Sequence, residues 1–427
     1  NNVIIIKDAT PGYENADAVI LQGHMDMVCE KAPDCTKDMS REGLDLAIDG
    51  DWIYAAGTTL GADDGVAVAM ALALLDADDI PHPRLEAVIT VDEEIGMLGA
   101  ADMDVSMLRG RTMLNLDSED EGVFTVSCAG GNLTSLTLPV AREPFNGTTL
   151  TVTVGGLRGG HSGTEIDKGL GNSSLLMGRV LCAAAAKSDL RLIAVDGGLK
   201  DNAIPRETVA TLVAADAAAV KDACRTLDQA LKNEYKTTDP DIFVAVADGT
   251  SGLLPMDESS TKRAVCLLTC IPNGIQAMSA DIAGLVQTSL NLGILKTEES
   301  RIVGGCCVRS SIDSQKEMLV DRLACLAAML GGTVSVSGDY SGWQYATHSP
   351  LRDLLTAVFV EQYGHEPKIE AIHAGVECGI FAGKLPGLDC VSLGPDMAEI
   401  HTCRERLSIA STERLWNMVL EALRRMK

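Results

Sequence analysis

Three short apolar runs near the start of the chain, Ala18–Leu21, Leu85–Val91 and Thr112–Leu116, each lead directly into acidic or imidazole side chains. The first runs into Gly23-His24-Met25-Asp26, the second into Asp92-Glu93-Glu94 and the third into Asp117. Runs that short and that apolar read as strands buried on both faces, as in a mostly parallel sheet with helices on either side. In such a sheet ligands gather beyond the carboxyl ends of the strands, which is where these polar groups fall. The pattern therefore restricts the chain to an α/β fold with a functional edge.

The remaining elements fit that frame. Val3–Lys7 and Asp51–Tyr54 read as further strands, and Gly65–Leu75, Ala-rich and unbroken, as a buried helix after the turn Gly61-Ala62-Asp63-Asp64. After Gly130-Gly131 the texture changes: Leu133–Leu138 and Thr148–Val154 alternate threonine with apolar residues, as strands do when one face is covered and one is open. Helices are expected over Ser174–Lys187 and Ala218–Tyr235, with strands at Arg191–Val195 and Thr208–Ala214. Strands near Ala264–Cys270, Ser289–Leu295 and Ile302–Ser310, a helix Ser314–Leu330 and a strand Thr333–Ser337 then suggest a second helix-on-sheet unit, a weak internal duplication. From Trp343 the first texture returns, with a helix Leu351–Tyr363, strands Lys368–Ile372 and Asp389–Leu393, and a closing helix Ser411–Met426. The expected organisation is an α/β domain with a mostly parallel sheet flanked by helices, in two parts, residues 1–131 and 343–427, interrupted by an α+β lid over residues 132–342.

Composition narrows the partners. Sixty acidic against 35 basic residues give a net charge of −25, a field that repels nucleic acid and anionic membranes. No apolar run is long enough to span a bilayer. Thirteen cysteines without a CxxC pair read as buried thiols in a reducing cytoplasm rather than a disulfide or zinc-ribbon framework. The chain opens at Asn1-Asn2 without a methionine, so an N-terminal piece is expected to precede it.

His24, Asp63, Glu94, Asp117 and His401 form a candidate ligand set. Nitrogen and carboxylate donors suit Zn²⁺, with Mn²⁺ or Co²⁺ as substitutes. Two metals about 3.5–4 Å apart need a bridging ligand, and Asp63, in a glycine-flanked turn, is the natural bridge. Asp26, two residues beyond His24 on the same side of the strand, is placed to orient the imidazole. Glu93, beside a ligand but itself free, suits proton transfer to and from water. Taken singly, each residue has a plainer meaning: a strand-end histidine, a helix cap at Asp63-Asp64, a solvated acidic turn, a loop histidine. Their joint placement at strand ends and a helix entrance is what argues against coincidence.

At this point the motifs QGHMDMV, GTTLGADDG, VDEEIGMLGA, NLDSEDEG, GLRGGHSG, DNAIPRE and HAGVECG resemble those of the aminoacyl-histidine dipeptidases, in the carnosinase and aminoacylase superfamily of co-catalytic zinc peptidases. The resemblance runs over essentially the whole chain and implies a zinc-exopeptidase-like sheet for the two-part catalytic domain. It implies two Zn²⁺ per chain, one held by His24 and Asp117, the other by Glu94 and His401, with Asp63 on both, and Glu93 as general acid/base. It further implies that His161 donates a hydrogen bond to the scissile carbonyl oxygen when the lid closes, and that Asn202 and Arg309 hold substrate oxygens. His373 and Glu377, after a strand, are candidates for the pocket wall, with Glu377 facing a substrate ammonium; His82, His348 and His365 are expected at the surface.

The expected activity is hydrolysis of Xaa-His and similar short unblocked peptides by a cytoplasmic enzyme, monomeric or dimeric through the lid. Two alternatives compete: a related N-acyl-amino-acid amidohydrolase, and a non-catalytic, metal-poor binding protein. Glu93 speaks against the second, since a binding protein has no use for a free carboxylate beside the metals.

Overall fold

A computed structural model describes all residues from Asn1 to Lys427. Its contacts divide the chain into two compact units, one made of Asn1–Cys128 with Ser341–Lys427, the other of Ala129–Tyr340.

The first unit is built on a seven-stranded sheet in the order Val3–Lys7, Leu85–Thr90, Val19–His24, Thr112–Asn115, Asp389–Ser392, Val123–Cys128 and Lys368–Ile372. Neighbours from Leu85–Thr90 to Asp389–Ser392 pair in parallel, and Val3–Lys7 adds an antiparallel edge. Val19–His24 and Leu85–Thr90 are buried along their whole length, which accounts for their unbroken apolar runs. The helix Ala62–Asp76 packs on this sheet through Val66, Ala67, Met70 and Leu74, although Asp63 and Asp64 at its start are not helical. Gly23 permits that packing, because a Cβ there would lie 2.3 Å from an Asp64 carboxylate oxygen and 2.5 Å from Ala67 Cβ. The other side of the core is closed by the helices Pro350–Tyr363 and Ile409–Arg425. Phe359 anchors it, stacked on Tyr363 with ring centroids 4.0 Å apart and edge-on to Phe124 at 5.7 Å.

A small antiparallel sheet in the order Met397–Ala398, Arg406–Ser408, Trp52–Ala55 and Leu46–Asp49 completes the unit. It holds the segment leading to Asp63 beside the hairpin that carries His401.

The second unit is a nine-stranded antiparallel sheet whose strands Thr148–Gly155, Leu190–Gly197 and Thr208–Ala214 meet Val286–Thr297, Arg301–Ser310 and Gly130–Pro139 in one continuous surface. The junction is narrow: Leu190–Gly197 and Val286–Thr297 pair only at Gly197 and Leu295. Helices Ser173–Ala185, Ala217–Glu234, Glu258–Cys270 and Asp313–Met329 supply the cover.

Three expectations are corrected. Ala264–Cys270 is not a strand but the end of the helix Glu258–Cys270, which is capped by Asp257 accepting from Ser260 N at 2.6 Å and buries Ala264, Leu267 and Leu268 at helical spacing. His82 is buried rather than at the surface. Its backbone N–H donates to Thr10 Oγ1 at 2.9 Å, its carbonyl accepts from Thr10 N at 3.0 Å, and its Nδ1 lies 2.6 Å from the Pro83 carbonyl. All the cysteines are free, but Cys29, Cys182, Cys266, Cys270 and Cys325 are exposed. No helix is long and apolar enough to cross a membrane.

Candidate metal centre

The strands Leu85–Thr90, Val19–His24 and Thr112–Asn115 are adjacent and parallel, so their carboxyl ends share one edge of the sheet. That register brings Glu93-Glu94, His24 and Asp117 together. Asp63 enters from the start of its helix, and His401 from the loop between Met397–Ala398 and Arg406–Ser408.

Asp63 stands between the two imidazoles. Its Oδ1 lies 3.0 Å from His24 Nε2 and its Oδ2 lies 3.1 Å from His401 Nε2. Asp117 Oδ1 approaches His24 Nε2 at 3.5 Å, and Glu94 Oε2 approaches His401 Nε2 at 3.1 Å. The other oxygen of Glu94 is buried without a hydrogen-bond partner. All five residues singled out in the sequence therefore meet at one place. Asp64, which the sequence did not single out, joins them: it is fully buried, accepts from His24 N at 3.2 Å and forms a compact donor group with His24 and Asp117.

The tautomer of His24 tests whether a metal fits. Its Nδ1 lies 2.9 Å from the Asp26 backbone carbonyl, an acceptor, so Nδ1 carries the proton. The Nε2 lone pair then faces two carboxylates, an arrangement that requires a cation in between. Burial alone would pull His24 down, but hydrogen bonds to Asp117 and Asp63 and their charges outweigh it and raise its pKa. Burial likewise raises Asp117, with the neighbouring Asp63 charge adding to it, and raises Glu94 beside Asp63. Two histidines among carboxylates, with ligand atoms of His24, Asp63 and Glu94 all within 4.8 Å of one another, fit a divalent cation.

Asp26 orients His24 differently from expectation. The carbonyl, not the carboxylate, takes the Nδ1 proton; the carboxylate, 3.6 Å from Nδ1, instead accepts from the backbone N–H groups of Glu93 and Glu94 at 3.2 Å each. Asp26 thus fixes the turn that presents both glutamates. The preceding Asp92 has φ 58°, and His401 has φ 59°, left-handed backbone that non-glycine residues adopt sparingly, aspartate and histidine more readily than most. Burial, followed by the charge of Asp117, pushes the Glu93 carboxyl up to about 8.

Beneath the strand ends runs a buried polar chain. Asn115 donates to Gln22 at 2.6 Å, Gln22 donates to Glu377 at 2.5 Å, and Thr90 donates to the same Glu377 oxygen at 2.7 Å. Glu377 is fully buried, mainly desolvation pushes it up to about 7, and its other oxygen has no hydrogen-bond partner. His373 is also buried. The sequence signal for this chain was the polar Gln22 within an apolar strand, on the same side as His24.

The other candidates lie in the second unit. His161 Nδ1 accepts from the backbone N–H groups of Gly163 at 3.2 Å and Thr164 at 3.1 Å, which leaves the proton on Nε2. Burial and the charge of Arg309 lower its pKa and keep the ring neutral. Asn202 is exposed, its carbonyl accepting from Ser162 N at 2.9 Å. Arg309 is 8 % exposed; its Nη1 reaches the Tyr340 hydroxyl at 3.4 Å and its Nε has no partner.

Comparison with known proteins places these features. The family model described as peptidase family M20/M25/M40 matches residues 20–425. The cytosol non-specific dipeptidase of Escherichia coli is 38% identical over 427 residues, 99% of this chain and 88% of that protein. The crystal structure of aminoacylhistidine dipeptidase from Vibrio alginolyticus superimposes with a TM-score of 0.92 at 37% identity, covering 99% of this chain and 87% of that one. Aminopeptidase PepT from Bacillus cereus, at 17% identity and a TM-score of 0.53, over 100% of this chain and 84% of that one, shares the fold. A family match over nearly the whole chain, at a site whose donors suit a divalent cation, establishes that the chain belongs to the peptidase family M20/M25/M40 and is a metal-dependent peptide hydrolase.

Proposed function

We propose that this protein is a two-metal dipeptidase that hydrolyses short unblocked peptides, Xaa-His dipeptides among them, in the cytoplasm. The observation that carries this is Asp63, whose two oxygens each face a different imidazole. On this basis His24 and Asp117 would hold one Zn²⁺, Glu94 and His401 the other, and Asp63 would serve both. The names of the relatives from Escherichia coli and Vibrio alginolyticus support dipeptides as the substrate class. Thirteen free thiols agree with a reducing compartment.

A metal pair so held supplies Lewis acidity, lowering the pKa of water and polarising a carbonyl oxygen. The chain's own groups do the rest. Glu93 takes the proton of the attacking water on its carboxylate and returns it to the leaving amine. Asp26 holds Glu93 in place through the backbone and keeps His24 in the tautomer that presents Nε2. In the second unit, taken as the lid, His161 offers Nε2–H to the oxygen of the scissile carbonyl. Asn202 adds a polar contact to a substrate oxygen. Arg309, a buried guanidinium with spare donors, suits the free C-terminal carboxylate that would limit the enzyme to short peptides.

The test is a panel of dipeptides, C-terminally amidated dipeptides and N-acyl-amino acids assayed with zinc-loaded and chelator-treated protein. Metal-dependent cleavage of free dipeptides is expected. Preferential cleavage of acyl-amino acids would replace the dipeptidase with an amidohydrolase.

A further inference from the structure

Glu405 lies four residues beyond His401, at the base of the hairpin loop that carries that histidine, and is 2 % exposed. Its carboxylate accepts four successive backbone N–H groups: Oε2 from Leu60 at 2.7 Å and Gly61 at 2.8 Å, Oε1 from Ala62 at 2.8 Å and Asp63 at 3.2 Å. Those N–H groups line the turn into the helix Ala62–Asp76, which has no side-chain cap of its own at Gly61. A concave run of N–H groups at a helix start binds anions, and here the anion is a side chain 342 residues away from Asp63. Four donors occupy the lone-pair positions of a carboxylate, so Glu405 has no capacity left to ligate a metal itself.

We infer that Glu405 is a positioning residue that fixes Asp63 relative to His401, and so sets the span between the two imidazoles; this rests on the metal centre proposed above. The neighbouring pairing of Arg406–Ser408 with Trp52–Ala55 brings the two loops side by side, but it ends before either ligand. Beyond that ladder the Glu405 carboxylate ties the base of the His401 loop to the Asp63 turn. His401 itself is 47 % exposed and has little packing to hold it. Loss of the carboxylate frees the turn and the loop to drift apart, which weakens the site that uses both Asp63 and His401 more than the one around the buried His24.

The experiment is Co²⁺ titration of the metal-free protein, followed by its visible absorption, for wild type, Glu405→Ala and Glu405→Gln. Wild type is expected to take up two Co²⁺, and Glu93→Gln to do the same while losing turnover; failure of either counts against the metal centre, not against the clamp. With that control met, Glu405→Ala is expected to bind one Co²⁺ about 10–100-fold more weakly with an altered spectrum, to lose kcat with KM nearly unchanged, and to recover both on addition of formate, a free carboxylate able to occupy the emptied nest. Recovery with formate but not with chloride at equal ionic strength separates positioning from general loss of stability. Folded Glu405→Ala with a wild-type titration and spectrum overturns the proposal. Where Glu405→Ala does not fold, Glu405→Gln decides: its amide sets N–H against N–H, so weakened Co²⁺ binding supports the clamp and a wild-type titration overturns it.

Discussion

Two oxygens on one carbon make Asp63 able to answer two imidazoles at once, and every other group at the site is arranged around that fact. His24, Asp117 and Glu94 all have raised pKa values, so protons compete with a cation for their lone pairs. Metal affinity should therefore rise with pH and fall as the solution is acidified. Calorimetry of Zn²⁺ uptake in buffers of different ionisation enthalpy should show proton release, and a heat independent of the buffer would contradict it. Glu93→Gln keeps the shape of the side chain but removes its capacity to take a proton; kcat should drop by about 10²–10⁴-fold while zinc content stays at the wild-type level. Near-normal turnover in a steady-state assay would remove Glu93 from its role. The side chains at the strand ends were legible from sequence, because apolar runs that stop at acids mark the edge of a parallel sheet. Asp26 and Glu405 were not fully legible. The partners of their carboxylates are backbone N–H groups, which no residue letter spells, 67 and 68 residues away for Asp26 and 342 or more for Glu405.

At the level of elements, long buried strands and strongly patterned helices announced themselves, whereas short or ambiguous ones did not. The helix Glu258–Cys270 read as a strand because its last residues, Ala264–Cys270, form an apolar run too brief for period alone to decide. Its cap, Asp257 with Ser260, was the missed signal. The four-stranded sheet around Trp52–Ala55 was invisible apart from that one strand, since its members are only two to four residues long and widely separated. Between the helix Pro350–Tyr363 and the strand Val123–Cys128, Phe359 contributes a fully buried ring to a three-ring cluster with Phe124 and Tyr363. Phe359→Ala should cost about 3–5 kcal/mol of unfolding free energy in urea titration. A loss below about 1 kcal/mol would mean that neighbouring helices close the cavity.

For the molecule as a whole, the sequence texture changes after Gly130-Gly131 and returns near Trp343, and the compact units divide after Cys128 and after Tyr340. What the sequence could not give was the extent of pairing inside the second unit, because strand order follows from hydrogen bonds between distant segments. That unit has its own apolar core, from Leu136 and Val152 through Leu212 to Leu292 and Leu323. Residues 129–340 expressed alone should accordingly fold and melt cooperatively by circular dichroism, without hydrolysing peptides. A fragment lacking a cooperative melt would show that its strands depend on the rest of the chain.

The two points at which the first unit is broken lie together. Cys128 and Trp343 exchange backbone hydrogen bonds, N to O at 3.0 Å in both directions. A segment spliced in at one doorway leaves the register of the seven-stranded sheet untouched whatever its own length. Insertions and deletions within residues 129–340 should accordingly leave the order and register of the seven-stranded sheet unchanged.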